Sequence, residues 1–314
     1  MHLQHSSLLN MPEADWAIKA LFGARVPQQS VATACCMHRL EGSDCALELW
    51  QVRPQGDCMA WTMTVQWPYT ASPCPVLLSP DGCWPHVLNH EATLAVVREG
   101  VALAWFNRTE LAFDAPNGQC LGPAFEHWPD LDLGAISVWA WGLQRCADVL
   151  LQCPGTNAQK LGVIGHSRGG KAALLAGASD PRFSATVSHN SGTAGAASLQ
   201  CQGKGAESLD ELAERYPHWL SKACGHKAVR QGVVAIDATT LLMSMLAPRG
   251  LCLLQARDDA WANPEGTRHA HERLRPHWAA HHAGHRLQLH ERDGGHSMTV
   301  LDWQHAARFV RDLD

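Results

Sequence analysis

Residues 161–179 read LGVIGHSRGGKAALLAGAS. LGVIG at 161–165 is apolar at successive positions, which predicts a strand covered on both faces. Gly169 to Ala178 is a run of small residues that predicts a closely packed helix. Between them stands Gly165-His166-Ser167-Arg168-Gly169, the G-x-S-x-G pattern. A serine on a tight strand-to-helix turn has its hydroxyl lifted clear of the backbone. Glycine flanks it because a Cβ would strike the adjoining strand or helix. The unpaired N–H groups of the helix's first turn point at developing negative charge, and the Arg168 N–H would form one half of an oxyanion hole. Few architectures carry such a turn, so this segment constrains the fold more than any other.

The rest of the chain fits around it. Residues 46–66 alternate in places (Met59, Trp61, Met63, Val65), as an antiparallel strand pair would. VLL at 76–78, VALAWF at 101–106, SATVSHN at 184–190, GLCLLQA at 250–256 and RLQLHER at 286–292 read as further strands. Helices are expected over His90–Arg98, Gly134–Leu151, Pro264–Ala283 (interrupted at Pro276) and Thr299–Leu313. Strands alternating with helices predict an α/β fold with a mostly parallel sheet between helical layers and an antiparallel N-terminal edge. No linker is visible, so residues 1–314 read as one catalytic domain with a long excursion at about 191–235.

A serine hydroxyl needs a base to take its proton. On this kind of fold the chain order is Ser, then Asp or Glu, then His. Arg257-Asp258-Asp259-Ala260-Trp261 follows the strand GLCLLQA, which makes Asp259 the candidate acid and Asp258 the reserve. Asp293-Gly294-Gly295-His296 follows RLQLHER, and a glycine loop lets the His296 ring reach Ser167. Asp259 would orient His296, and His296 would accept the Ser167 proton and return it to the leaving alcohol.

Other classes are set aside. The net charge of -5, with no basic stripe, argues against a nucleic-acid partner. No apolar run is long enough for a membrane span. MHLQHSSLLNMPEADW lacks the pattern of a signal peptide, which places the chain as given in the cytoplasm, or outside it if a leader was removed. The 12 cysteines contain no C-x-x-C and read as mostly reduced, buried thiols. His277, His281 and His285 stand at i, i+4, i+8, but no carboxylate joins them in a metalloenzyme pattern, so no metal and no cofactor is expected.

Several segments resemble the glucuronoyl esterases of carbohydrate esterase family 15, especially their bacterial branch. They are GAISVWAWGLQRCADVL (134–150), GHSRGGKAALLAGASDPRF (165–183), SHNSGTAGAA (188–197), ERYPHW (214–219), LLMSMLAPRGLCLL (241–254), DDAWANPEG (258–266) and GGHSMTVLDW (294–303), with LFGARVP (21–27) a weaker match. The resemblance implies an α/β-hydrolase fold without a metal. It implies hydrolysis of the ester between a 4-O-methyl-glucuronic acid branch of xylan and a lignin alcohol, so the substrate would be a small-molecule or polysaccharide ester. It also implies that the Arg168 side chain joins the oxyanion hole, that Lys171 and Glu207 bind sugar hydroxyls, and that Trp219 and Trp261 contact the uronate. The chain departs from the family where some members place a catalytic Glu, since Asn190 stands there. Ser198-Leu199-Gln200-Cys201 replace residues that are often basic, which keeps an acetyl or short-chain acyl esterase as the alternative. The oligomeric state is not legible in the sequence.

Overall fold

A strand that is apolar at every position needs cover on both faces. The computed structural model, which describes residues 11–26, 31–55, 59–70, 73–115 and 117–314, provides it. Its strands are β1 (Ala32–Glu41), β2 (Cys45–Pro54), β3 (Trp61–Pro68), β4 (Cys74–Ser79), β5 (Ala102–Phe106), β6 (Thr156–His166), β7 (Ala185–His189), β8 (Gly250–Ala256) and β9 (Leu287–Arg292). They form one nine-stranded sheet in the order β1-β2-β3-β5-β4-β6-β7-β8-β9. The β1/β2, β2/β3 and β3/β5 pairs are antiparallel, and every later pair is parallel.

The helices are α1 (Met11–Phe22), α2 (His90–Arg98), α3 (Pro123–His127), α4 (Ala135–Leu150), α5 (Arg168–Ser179), α6 (Leu209–Arg215), α7 (Lys227–Ala235), α8 (Ala238–Ser244), α9 (Pro264–Ala279) and α10 (Val300–Arg311). One face of the sheet, with Val76, Leu78, Val163 and Leu253, packs against α4, α5, α8 and α9. The alternate residues Leu77, Ile164, Val187 and Cys252 pack against α2 and α10. This is the expected three-layer sandwich. No helix among the described residues is long and apolar enough to cross a membrane.

Gly165 has the expected cause, whereas a Cβ on Gly169, the second glycine of the pattern, would meet not a strand or helix backbone but the Asp81 carboxylate, at 2.1 Å. A Cβ on Gly165 would lie 2.1 Å from the Gly169 carbonyl oxygen, and one on Gly170 would lie 2.9 Å from the Gly165 oxygen. Both obstacles are backbone, which cannot swing aside. Gly165→Ala is therefore expected to cost about 3 kcal/mol or more, read as a lowered urea midpoint or loss of soluble protein. Gly284→Ala, where a Cβ meets nothing within 4 Å, should stay within about 0.5 kcal/mol of the parent.

Some expectations need correction. The antiparallel edge has a third strand, β1, which the alternation at 46–66 did not reveal. Nearly all of β1 is exposed on both faces, so no periodic pattern marks it. The helix α1 was also not anticipated. β6 begins at Thr156, five residues before the apolar run, and its start shows no apolar pattern because Ala158 and Gln159 are exposed. The α9 helix runs through Pro276 but stops at Ala279 rather than Ala283, so His281 and His285 fall outside it and no shared helical face exists. No group of three or more candidate metal ligands gathers among the described residues. The 191–235 excursion contains α6 and α7, and α6 begins on a reciprocal Ser208–Glu211 capping box.

Candidate active site

Parallel strands with helical crossovers bring their following loops to one edge of the sheet, where ligands bind. Ser167 follows β6 directly, with φ 54° and ψ -119°, a left-handed conformation that a non-glycine residue adopts only under constraint. Asp259 follows β8 and His296 follows β9. The three line one cavity of about 320 Å3. Cavities elsewhere are larger, such as one of about 450 Å3 beside Trp50 and Trp67, but it brings no histidine to a nucleophile.

His296 Nδ1 lies 2.6 Å from Asp259 Oδ2. A carboxylate only accepts, so Nδ1 carries the hydrogen and Nε2 keeps a free lone pair. Asp259 Oδ1 accepts from the Ala262 N–H at 3.3 Å, which fixes the carboxyl plane. Asp258 is exposed, and its Oδ2 accepts from the Gly294 N–H at 2.8 Å. Asp258 thus shapes the histidine loop, while Asp259 contacts the ring. Asn190, also on the cavity, accepts from the Ala256 N–H at 2.8 Å and donates to the Gly295 carbonyl at 3.5 Å. It ties the end of β8 to the histidine loop. Among the described residues no hydrogen bond joins Ser167 Oγ to His296. Such contacts are often long in an empty site and tighten around substrate.

The other expected residues also gather here. Arg168 opens α5, and its guanidinium lies 4.4 Å from the Trp219 ring centre and donates to Asp114 Oδ2. Asp114 further accepts from Trp219 Nε1 at 2.9 Å and sits 3.2 Å from His218 Nε2. Burial works to raise the Asp114 carboxyl, but His218, Arg168 and Trp219 outweigh it and hold the group well below the usual carboxylate range. Trp219 is buried and stacked on Tyr216, with ring centres 3.9 Å apart. Trp261 is 41% exposed at the rim, beneath the Arg215 guanidinium.

Lys171 is fully inside, not on the surface of its helix. Its Nζ donates to the carbonyls of Ser191 and Thr193, which leaves one of three donors for a ligand. Burial, with Arg168 adding and Glu207 opposing, pushes its amine down to about 8. Glu207 is buried too, and its Oε1 has no hydrogen-bond partner among the described residues. Burial raises its carboxyl, with Lys171 and Arg215 opposing.

Residues 51–280 match the sequence profile of a family described as glucuronyl esterase, fungi. The chain belongs to the glucuronyl esterase family. A carbohydrate esterase from an unknown prokaryotic organism is 34% identical over 42% of this chain and 30% of its own length. The 4-O-methyl-glucuronoyl methylesterase of Hypocrea jecorina is 28% identical over 67% of this chain and 45% of its own length. The chain thus spans less than half of these curated relatives. Among solved structures, a carbohydrate esterase family 15 glucuronoyl esterase from Caldicellulosiruptor kristjansonii superposes with a TM-score of 0.78 at 25% identity, over 96% of this chain and 83% of that one. A glucuronoyl esterase from Solibacter usitatus gives 0.82 at 23% identity, over 95% and 91%, and supports the α/β-hydrolase fold.

Sequence reasoning missed Asp114, Tyr216 and His218 in this glucuronyl esterase family member. Asp114 lies in the segment 111–115, where no period or motif distinguishes a part-buried carboxylate from a loop residue. Only the approach of Arg168, His218 and Trp219 in the fold gives it its partners.

Proposed function

We propose that the chain is a serine carboxylic-ester hydrolase that cleaves uronate esters, with 4-O-methyl-glucuronoyl esters as the substrate. The observation that carries this reading is the 2.6 Å His296–Asp259 contact on the cavity that also holds Ser167, Lys171 and Glu207. Family membership and the name of the Hypocrea jecorina relative support the substrate class.

In this mechanism Ser167 Oγ attacks the ester carbonyl while His296 Nε2 takes its proton. The Arg168 N–H and guanidinium stabilise the oxyanion. The C–O bond to the alcohol breaks, His296 protonates the departing oxygen, and an acyl-enzyme remains on Ser167. Water then repeats the sequence, with His296 again as base, and releases the uronic acid. Lys171 donates to a sugar hydroxyl, Glu207 accepts from one, and the exposed indole of Trp261 offers an apolar face to pyranose C–H groups, while Trp219, buried against Tyr216, walls the cavity beside Arg168.

Lys171→Met and Glu207→Gln test the substrate class. Each should raise KM for a glucuronate ester about tenfold or more, since a charged hydrogen bond is lost. Neither should change cleavage of p-nitrophenyl acetate, which has no hydroxyls to bind. An equal loss on both esters would contradict uronate binding here. The parent's KM should also rise as pH passes about 8, because Lys171 loses its charge there, and the Lys171→Met variant should lose that dependence. Asp114→Asn removes the charge that steadies the Arg168 guanidinium and should lower kcat about tenfold, measured beside a melting curve to separate activity from folding.

A further inference from the structure

His166, between the glycine and the serine of the turn, has no part in the mechanism above. It is buried, and its ring centre lies 4.7 Å from that of His296 at an interplanar angle of 51°. Its backbone N–H donates to Asp81 Oδ2 at 2.7 Å, and Asp81 is paired with the buried Arg108, so the backbone beneath the ring is anchored. His166 Nδ1 lies 2.8 Å from Nδ1 of His189, the last residue of β7. His189 Nε2 stands 3.3 Å from Asp302 Oδ2, off the axis of an ideal hydrogen bond. Asp302 accepts from Arg292 Nε at 2.9 and 3.1 Å and from the Thr299 N–H at 2.7 Å.

The proton positions follow by elimination. Burial raises the Asp302 carboxyl, but His189 and the Thr299 donors outweigh it, so Asp302 stays ionised and only accepts. A bare nitrogen facing it would set lone pair against lone pair, so His189 carries its hydrogen on Nε2. His189 Nδ1 is then the acceptor, and His166 Nδ1–H is the donor. Burial lowers both rings. His189, His296, His86 and Arg108 lower His166 further, while Arg292 and His296 lower His189 against the pull of Asp302. The charges of Arg292 and Asp302 offset each other at the far end, so neither ring is driven to protonate.

We propose that His166 is a positioning residue for the base: locked as the neutral Nδ1–H tautomer by His189 and Asp302, its ring supports His296 and leaves room beside it for the imidazolium. The proposal rests on Ser167 and His296 being nucleophile and base. A protonated His166 would repel the cation that forms on His296, and a missing ring would let the glycine loop carrying His296 drift.

Ring 15N spectra of the whole protein, beside kinetics of His166→Ala and His166→Phe, test this. His166 should show the neutral Nδ1–H pattern from pH 5 to pH 9. His166→Ala should lower kcat on a glucuronate ester about tenfold with KM within twofold, a loss of alignment rather than affinity. His166→Phe, which restores a neutral ring, should recover most of that loss. A protonated His166 in that range, or an unchanged kcat in His166→Ala, would overturn the proposal, as would His166→Phe failing to improve on alanine. The spectra need no turnover, so they stand apart from the mechanism. If the mechanism itself fails, Ser167→Ala retains activity, a separate signal.

Discussion

Replacing Ser167 with alanine is expected to lower kcat on a glucuronate ester by about 10,000-fold or more, with KM changed only a few-fold. The hydroxyl supplies the bond-forming electrons, and no neighbouring group on the cavity replaces it: Lys171 is tied to two carbonyls, and His296 is held by Asp259. Residual catalysis would come from the Arg168 donors and from binding. The fold should survive, because Ser167 Oγ makes no hydrogen bond among the described residues and alanine fills the same space. Steady-state kinetics beside a melting curve checks both halves of this expectation. Activity above about a tenth of the parent's would assign the attack to another group.

Asp259→Asn is expected to lower kcat by about 1,000- to 10,000-fold, whereas Asp258→Asn should stay within about threefold. The two neighbours have the same charge but different partners. Asp259 Oδ2 meets His296 Nδ1 at 2.6 Å, and the carboxylate both selects the Nδ1–H tautomer and stabilises the imidazolium. An asparagine can offer an N–H there and turn the ring to the wrong tautomer. Asp258 holds only the Gly294 N–H from an exposed position, so its loss costs one surface hydrogen bond, about 1 kcal/mol. Equal losses in the two variants would contradict this division.

The parallel half of the fold was legible because burial on both faces removes polar residues from the strands: LGVIG, GLCLLQA and VALAWF could hardly lie elsewhere. The turn at Ser167 was legible because its glycines answer to close contacts: a Cβ on Gly165 would lie 2.1 Å from the Gly169 carbonyl oxygen, and one on Gly169 would lie 2.1 Å from the Asp81 carboxylate. β1 was not, since an edge strand exposed on both sides needs no alternation. Position after the strand favoured Asp259 and kept Asp258 in reserve, and what separates the two neighbours is that Asp259 meets the His296 ring while Asp258 meets the Gly294 N–H of its loop. Lys171 reads as well on a surface helix as in a buried one, because its burial comes from the turn at Ser191–Thr193, far along the chain. Asp114, His189 and Asp302 come from three separate segments, and their partnerships exist only once the sheet and its loops are assembled.

The most direct test of the central claim compares kcat/KM for benzyl glucuronate and p-nitrophenyl acetate on the parent protein. The account predicts that the glucuronate ester is preferred by about 100-fold or more, since Lys171, Glu207 and the Trp261 indole can act only on a sugar acyl group. Ready cleavage of the acetate with no release of benzyl alcohol from the glucuronate would contradict it, leaving a serine esterase of short-chain acyl groups.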